Sequence, residues 1–159
     1  MEVRDLEQVV ALADRLFPDH PEDAEHFSER LALGAELCLT LADAGWGIAG
    51  YAIAYPWPLD GIPPLNGSLA PVPPSEGEAY LHDLAIDPAF AGAGHAGAGL
   101  GLLIGRMRKA RLRHLALVAV NGTMPFWEHH DFRIREPSDA MVRKLSSYGG
   151  EARYMIRTL

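Results

Sequence analysis

One stretch limits the possibilities for this chain more than any other: Ala79–Arg108, AYLHDLAIDPAFAGAGHAGAGLGLLIGRMR. It opens with a strand-like apolar run, Tyr80–Ile86, which Pro88 ends. A loop with glycines at 92, 94, 97 and 99 comes next, and then the helical spacing Leu100, Leu103, Ile104, Met107. Strand, glycine loop and helix in succession form an anion site. Glycine lets the backbone approach a ligand closely, and the first N–H groups of a helix have no internal acceptor.

Gly92-Ala93-Gly94-His95-Ala96-Gly97 is literally G-x-G-x-x-G, the dinucleotide fingerprint. That motif requires an acid about 20 residues on, at the end of the next strand, to hold a ribose. The next strand-like run is Leu115–Val120, followed by Asn121, and no acid comes before Glu128. The segment C-terminal to the loop is also too short for a doubly wound sheet. A flexible glycine turn with no ligand is the other plain reading of this segment.

Ile86-Asp87-Pro88-Ala89-Phe90 with Ala91-Gly92-Ala93-Gly94-His95-Ala96 resembles the acetyl-CoA signature of the GNAT acetyltransferases, V-x-P-x-x-[R/Q]-x-x-G-x-[G/A]. Gly94 and Ala96 fall on its last two positions, and Ala91 stands where the family has Arg or Gln. A register shifted to Gly94-x-x-Gly97-x-Gly99 also lacks that side chain and would need an insertion after Pro88. Met124–Phe132, MPFWEHHDF, resembles the family segment A-x-F-Y-x-K-x-G-F. Leu81-His82-Asp83-Leu84-Ala85-Ile86 resembles the L-H-x-L-A-V strand of the arylalkylamine N-acetyltransferases in that superfamily. The likeness covers about residues 79–133 well and the remainder by pattern. It implies a single α/β domain over 1–159: a mixed, mostly antiparallel twisted sheet flanked by about four helices, opened into a V near Ile86 and Asn121.

The 159 residues suffice for one core, and a net charge of −7 argues against nucleic acid as a default partner. The single cysteine, Cys38, lies in the apolar run Leu37–Leu41, which leaves no internal disulfide or thiolate cluster and reads as a buried small residue. The start, Met1-Glu2-Val3-Arg4-Asp5, has no secretory character, and no run has membrane-spanning length, so a cytoplasmic protein without a membrane partner is expected.

Val3-Arg4 reads as a remnant first strand. Helical spacing begins at Leu6 and continues through Val9, Val10, Ala13, Leu16 and Phe17, ended by Pro18. Pro21-Glu22-Asp23 reads as the start of a second helix, with Pro early and acids in the first turn, running to Leu33 with Gly34 as its cap. Glu36–Ala42 and Trp46–Tyr55 read as strands of a hairpin around Asp43-Ala44-Gly45. Residues 56–78 hold seven prolines, an insertion that either covers a substrate through Trp57, Leu59, Ile62 and Leu65 or only pins itself to the body. Further on, Thr123–His130 reads as a short helix, and Phe132–Arg135 and Ala152–Leu159 as strands.

The resemblance implies acetyl transfer from acetyl-CoA, as co-substrate and with no metal, to a primary amine of a small molecule. In that picture the loop Ala91, Gly92, Ala93, Gly94, His95, Ala96 and Gly97 cradles the pyrophosphate through backbone N–H groups. The strand residues matching Leu84, Ala85 and Ile86 bond the pantetheine arm, and Asn121 stands where the central strands part. His82 matches a histidine that serves as base, directly or through water, and histidine is the residue type suited to that task at neutral pH. Period-2 alternation sets Tyr80 and His82 on one face and Asp83 on the other. A buried structural histidine is the plain alternative for His82. Where the family has its acidic Tyr, this chain has Trp127, whose indole cannot protonate a thiolate. Tyr80 or Tyr154 could substitute, or the thiol, with a reference pKa of about 8.5, leaves unaided. Trp127 and its neighbour Phe126 would pack against the pantetheine, or sit in the core. His129-His130 lacks metal-site spacing and reads as a solvated face. Rival readings are a domain of the same fold that binds acyl-CoA without turnover, and a plain interaction domain. A homodimer is compatible with all of them.

Overall fold

The hairpin expected around Asp43-Ala44-Gly45 forms. β1 (Leu39–Asp43) pairs antiparallel with β2 (Gly47–Pro56), and Asp43 Oδ1 accepts the N–H groups of Gly45 and Trp46 across the turn, at 2.9 and 3.1 Å. β2 is an interior strand buried on both faces, which is why its sequence, GIAGYAIAYP, carries no charge. The computed structural model describes all 159 residues. Its remaining elements are α1 (Leu6–Leu16), α2 (Ala24–Leu33), β3 (Glu78–Ile86), α3 (His95–Lys109), β4 (His114–Ala119), α4 (Met124–His129), β5 (Arg133–Ile134), α5 (Asp139–Ser146) and β6 (Arg153–Thr158).

The six strands run in the order β1-β2-β3-β4-β6-β5, and every pair is antiparallel except β3 with β4. The expected mixed, mostly antiparallel sheet is thus present. One face packs against α1, α2 and Met141 of α5, around Val9, Leu12, Phe27, Leu31, Tyr51 and Tyr55. The other packs against α3 and α4, around Leu100, Leu103, Met107, Leu117 and Trp127. No helix is long and apolar enough to cross a membrane.

The parallel pair holds over only three rungs, Glu78↔His114, Ala79↔Leu115 and Tyr80↔Ala116. Beyond Tyr80 the two strands part. The edges of Leu81–Ile86 and Leu117–Ala119 that face each other have no ladder partner there, so their backbone groups stay free for a ligand.

Four local expectations are corrected. Val3-Arg4 lies in a 3₁₀ turn, not a strand. α2 begins at Ala24, so Pro21 and Glu22 precede it, and Glu22 is free to reach inward. Gly34 succeeds α2 with φ −122°, outside the left-handed region. Its need is for space, because a Cβ there would collide with the Ala54 carbonyl of β2. Finally, there are five α-helices rather than about four; α5 lies in a polar stretch with no sequence assignment.

The Pro-rich segment is fastened along α2. Asn66 Oδ1 accepts from Asp23 N at 3.0 Å and meets His26, and Glu29 accepts from Ser68 and Leu69 at 2.8 and 2.9 Å. Trp57 and Leu69 are buried, and Leu59 and Ile62 pack against the core, while Leu65 faces a cleft. The segment is both pinned and a wall.

Candidate active site

The cleft opens on the α1/α2 face of the sheet, where β3 and β4 part. Its floor is β3 and β4, through Tyr80, His82, Asp83 and Val118, with Val120 just past the end of β4. Its walls come from α1 (Ala13, Asp14, Phe17), the connection before α2 (His20, Pro21, Glu22), Phe27, Leu65, Asn121 and Tyr148.

Asp83 belongs to this cleft because of a β-bulge. Ile53 of β2 pairs with Asp83 and Ala54 pairs with Leu81, so His82 is an extra residue in β3. A bulge breaks strict alternation. Tyr80, His82 and Asp83 therefore all turn to the same side, and the expected placement of Asp83 on the opposite face is overturned. Asp83 Oδ2 accepts the Tyr51 hydroxyl at 3.0 Å.

The His82 side chain is 2% exposed, with Nε2 at 2.7 Å from Glu22 Oε1 and Nδ1 at 3.3 Å from the Tyr55 hydroxyl. Glu22 Oε2 lies 2.8 Å from Nη2 of Arg30, itself 1% exposed. Arg30 also donates to the Pro64 carbonyl at 2.9 Å and to the Leu65 carbonyl. A buried guanidinium thus ties the cleft's acid to its outer wall. Burial alone would raise the Glu22 carboxyl, but the His82 hydrogen bond and the His82 and Arg30 charges outweigh it and hold it below the ordinary range. Asp83 goes the other way: burial raises it above the ordinary range despite His82 and the Tyr51 bond. Donor atoms of Glu22, His82 and Asp83 lie within 4.8 Å of one another. They could converge on a cation; the cation already beside them is Arg30.

Tyr80 is buried against Tyr55 and His82, with ring centroids 6.3 and 6.5 Å away. Burial holds its hydroxyl, and those of Tyr55 and Tyr148, firmly protonated. The Tyr154 hydroxyl is committed elsewhere, to the Leu59 carbonyl at 3.0 Å.

The glycine loop lies at the end of β3. Asp87 Oδ1 accepts from Ala89 N at 3.0 Å and Oδ2 pairs with Arg15 at 2.9 Å, closing a 3₁₀ turn over Pro88–Phe90. From Gly92 to Gly97 no backbone N–H donates to a protein acceptor. Gly92 and Gly94 have φ of +78° and +81°, and a Cβ at either would meet nothing within 4 Å. Six free N–H groups, with open space at Gly92 and Gly94, at the head of a 15-residue helix suit a pyrophosphate. Ala91 adds no side chain to this cradle. His95 shares a hollow with Leu84 and Ile86 on the β1 side of α3.

Gly97 faces α4: a Cβ there would sit 3.3 Å from His130 Cε1. His130 is half-buried with its ring centroid 4.6 Å from Phe126, so it is not part of a solvated face; His129 is. Trp127 is buried between Phe126 and Phe132, at 4.9 and 5.3 Å, and its Nε1 donates to Thr123 Oγ1 at 3.1 Å. Asn121 closes β4 with φ +52°, ahead of Gly122 at +71°. The free edge of Leu84–Ile86 faces it across the parted strands.

Residues 5–132 match the model of the Acetyltransferase (GNAT) family. The chain belongs to that family. Among curated proteins none matches by sequence. Solved structures resemble this GNAT chain in fold at low identity. Ard1 from Thermoplasma volcanium superposes with a TM-score of 0.76 at 15% identity, over 100% of this chain and 94% of that one. Arabidopsis thaliana Naa50, in complex with the bisubstrate analogue CoA-Ac-MVNAL, gives 0.70 at 14% identity over 100% and 95%. N-acetylglutamate synthase from Neisseria gonorrhoeae, complexed with coenzyme A and N-acetyl-glutamate, gives 0.71 at 16% over 99% of this chain and 34% of that chain. The family match stops before β5, α5 and β6, so Tyr148 lies outside it.

Glu22 and Tyr148 in the cleft, and Arg30, Tyr51 and Tyr55 buried behind it as partners of Glu22, Asp83 and His82, are residues that the sequence alone does not single out. Arg30 carries a signal: Phe27, Arg30 and Leu31 share the apolar stripe of α2, and a buried arginine requires an acid nearby.

Proposed function

We propose that this GNAT protein transfers acetyl from acetyl-CoA to the primary amine of a small molecule with an apolar or aromatic body. The observation that carries this reading is the cleft itself. A half-buried Glu22–His82–Asp83 cluster stands at the parting of β3 and β4, beside the free strand edge, and the glycine loop with its free N–H groups follows at the end of β3. Backbone groups of 91–97 would hold the pyrophosphate, the Leu84–Ile86 edge the pantetheine, and Asn121 and Phe126 the far side of the arm, with Trp127 packed behind. When bound, the thioester supplies an electrophilic carbonyl carbon. Proton removal from the amine falls to the cluster around His82, the residue expected as base. Tyr80, kept protonated by burial, is the group this reading assigns to return a proton to sulfur.

Acidic groups with Phe17, Phe27, Tyr80 and Tyr148 suit an ammonium on an apolar body. Leu65 from the Pro-rich segment and Tyr148 add apolar and aromatic surface to the lining, which suits a small acceptor with such a body. Titration calorimetry with acetyl-CoA and CoA tests the first half. Both bind if the loop functions without an Arg or Gln at 91; if neither binds at millimolar concentration, the transferase reading fails. Acetyl-CoA binding with no thiol release on any amine would favour a binding domain without turnover. Unchanged turnover in His82→Ala would remove His82 from the chemistry.

A further inference from the structure

Both ring nitrogens of His82 are already engaged, Nε2 by Glu22 at 2.7 Å and Nδ1 by the Tyr55 hydroxyl at 3.3 Å. With 2% of its side chain exposed, His82 has no free lone pair to offer an amine. Its neighbour in the bulge differs. Asp83 keeps one oxygen, Oδ2, on Tyr51, while Oδ1 makes no hydrogen bond within the protein. Asp83 lines the cleft and immediately precedes the free strand edge at Leu84–Ile86. Arg30, the buried cation of the network, pairs with Glu22 and makes no ion pair with Asp83.

We propose, on the basis of the amine-acetyltransferase reading above, that Asp83 is the catalytic residue that takes the proton from the bound ammonium, and that His82 and Glu22 are positioning residues behind it. An N–H bond of the ammonium breaks and an O–H bond forms at Oδ1. The freed electron pair makes the N–C bond to the thioester carbonyl. The C–S bond then breaks with its electrons on sulfur. The second amine proton, passed through the Tyr80 hydroxyl, neutralises the thiolate. Asp83 returns its proton to water at the cleft mouth. The bulge is what makes this possible, since regular alternation would turn Asp83 away. Burial favours the neutral acid that the step produces. The groups that face Asp83 are Tyr51 from β2, His82 beside it, Glu22 ahead of α2 and Arg30 on α2, with Asp14 and Tyr148 also lining the cleft.

Two measurements test this. The first needs no turnover: carboxyl ¹³C and imidazole ¹⁵N NMR of the wild type, with 2-phenylethylamine as probe. The expected result is a probe-dependent shift of the Asp83 carboxyl, with His82 held in one hydrogen-bonded form. A silent Asp83 with a responding His82 overturns the proposal. The second uses the best amine found by thiol release. Asp83→Asn should lower kcat at least 100-fold, the lower end of general-base effects, with acetyl-CoA affinity unchanged and the acidic limb of the kcat/KM profile abolished. His82→Gln should lose less than tenfold and leave that limb in place. Asp83→Asn within threefold of wild type, its melting temperature undiminished, overturns the proposal. A wild type that binds no acetyl-CoA defeats the transferase reading instead, and the NMR experiment still decides on Asp83.

Discussion

Arg30→Met should be among the most damaging substitutions outside the apolar core. Arg30 is 1% exposed; its Nη2 donates to the Pro64 carbonyl at 2.9 Å and to the Leu65 carbonyl, and it forms an ion pair with Glu22 Oε2 at 2.8 Å. Methionine fills most of the volume and supplies no donor. Breaking a buried ion pair from one side costs about 3–5 kcal/mol, mostly because the other charge stays buried. Each carbonyl that loses a charged donor adds about 1.5–3 kcal/mol when taken alone. These losses share one group and do not add, so the expected total is about 4 kcal/mol. Adding Glu22→Gln removes the stranded charge, while the glutamine oxygen still accepts from His82. The double variant should recover about 1–2 kcal/mol relative to Arg30→Met, the part due to the orphaned carboxylate. Urea unfolding at pH 7, with slopes compared to confirm a common unfolded state, measures both. A cost below about 1 kcal/mol for Arg30→Met, within the range of an exposed pair, would refute the reasoning. So would a double variant no more stable than the single one.

The same geometry sets other outcomes. Gly34→Ala should cost at least about 2 kcal/mol by forcing α2 off β2, whereas Gly92→Ala, with open space around it but φ +78°, should cost about 1 kcal/mol from backbone strain alone and weaken acetyl-CoA binding; chemical unfolding ranks the two. Glu22 is lowered because His82 and Arg30 outweigh burial, and Asp87 chiefly by the Ala89 N–H and Arg15. Both therefore contribute stability at pH above the ordinary carboxylate range and lose it as pH falls through their lowered values, so the melting temperature should drop on acidification. Asp83 is raised, so its ionisation opposes folding at higher pH, and Asp83→Asn should melt above wild type at pH 7–8. Trp127→Phe, which loses the 3.1 Å bond to Thr123, should cost about 1 kcal/mol without slowing thiol release, as scanning calorimetry and kinetics would show.

The parts of this molecule that are legible in the sequence are those where one residue type can do the job. Leu6–Leu16 shows a helical period, and the glycines at 92 and 94 occupy positive φ that other residues resist. The bulge is not legible. Tyr80-Leu81-His82-Asp83 reads as alternation, and only the register against Ile53 and Ala54 shows the extra residue. Glu22 looks like a helix-dipole acid because Pro21 suggests a start three residues before the observed one, and its partner Arg30 lies on the helix itself. Gly34 reads as a cap chosen for backbone freedom, when the requirement is a close approach to β2, a fact of tertiary packing. α5 escapes because it is short: Met141, Val142 and Leu145 fall at helical spacing within only eight residues, and Met141 alone is buried.

The central claim is that the cleft accepts a small amine and that acetyl-CoA supplies the acetyl group. Thiol release with acetyl-CoA, run in parallel on small arylalkylamines and on peptides with free N-termini, with product masses recorded, tests it most directly. Turnover of the small amines with a product heavier by one acetyl group, and little or none on the peptides, is the predicted result. Acetylation confined to the peptides, or no acetylated product from any amine, would contradict it.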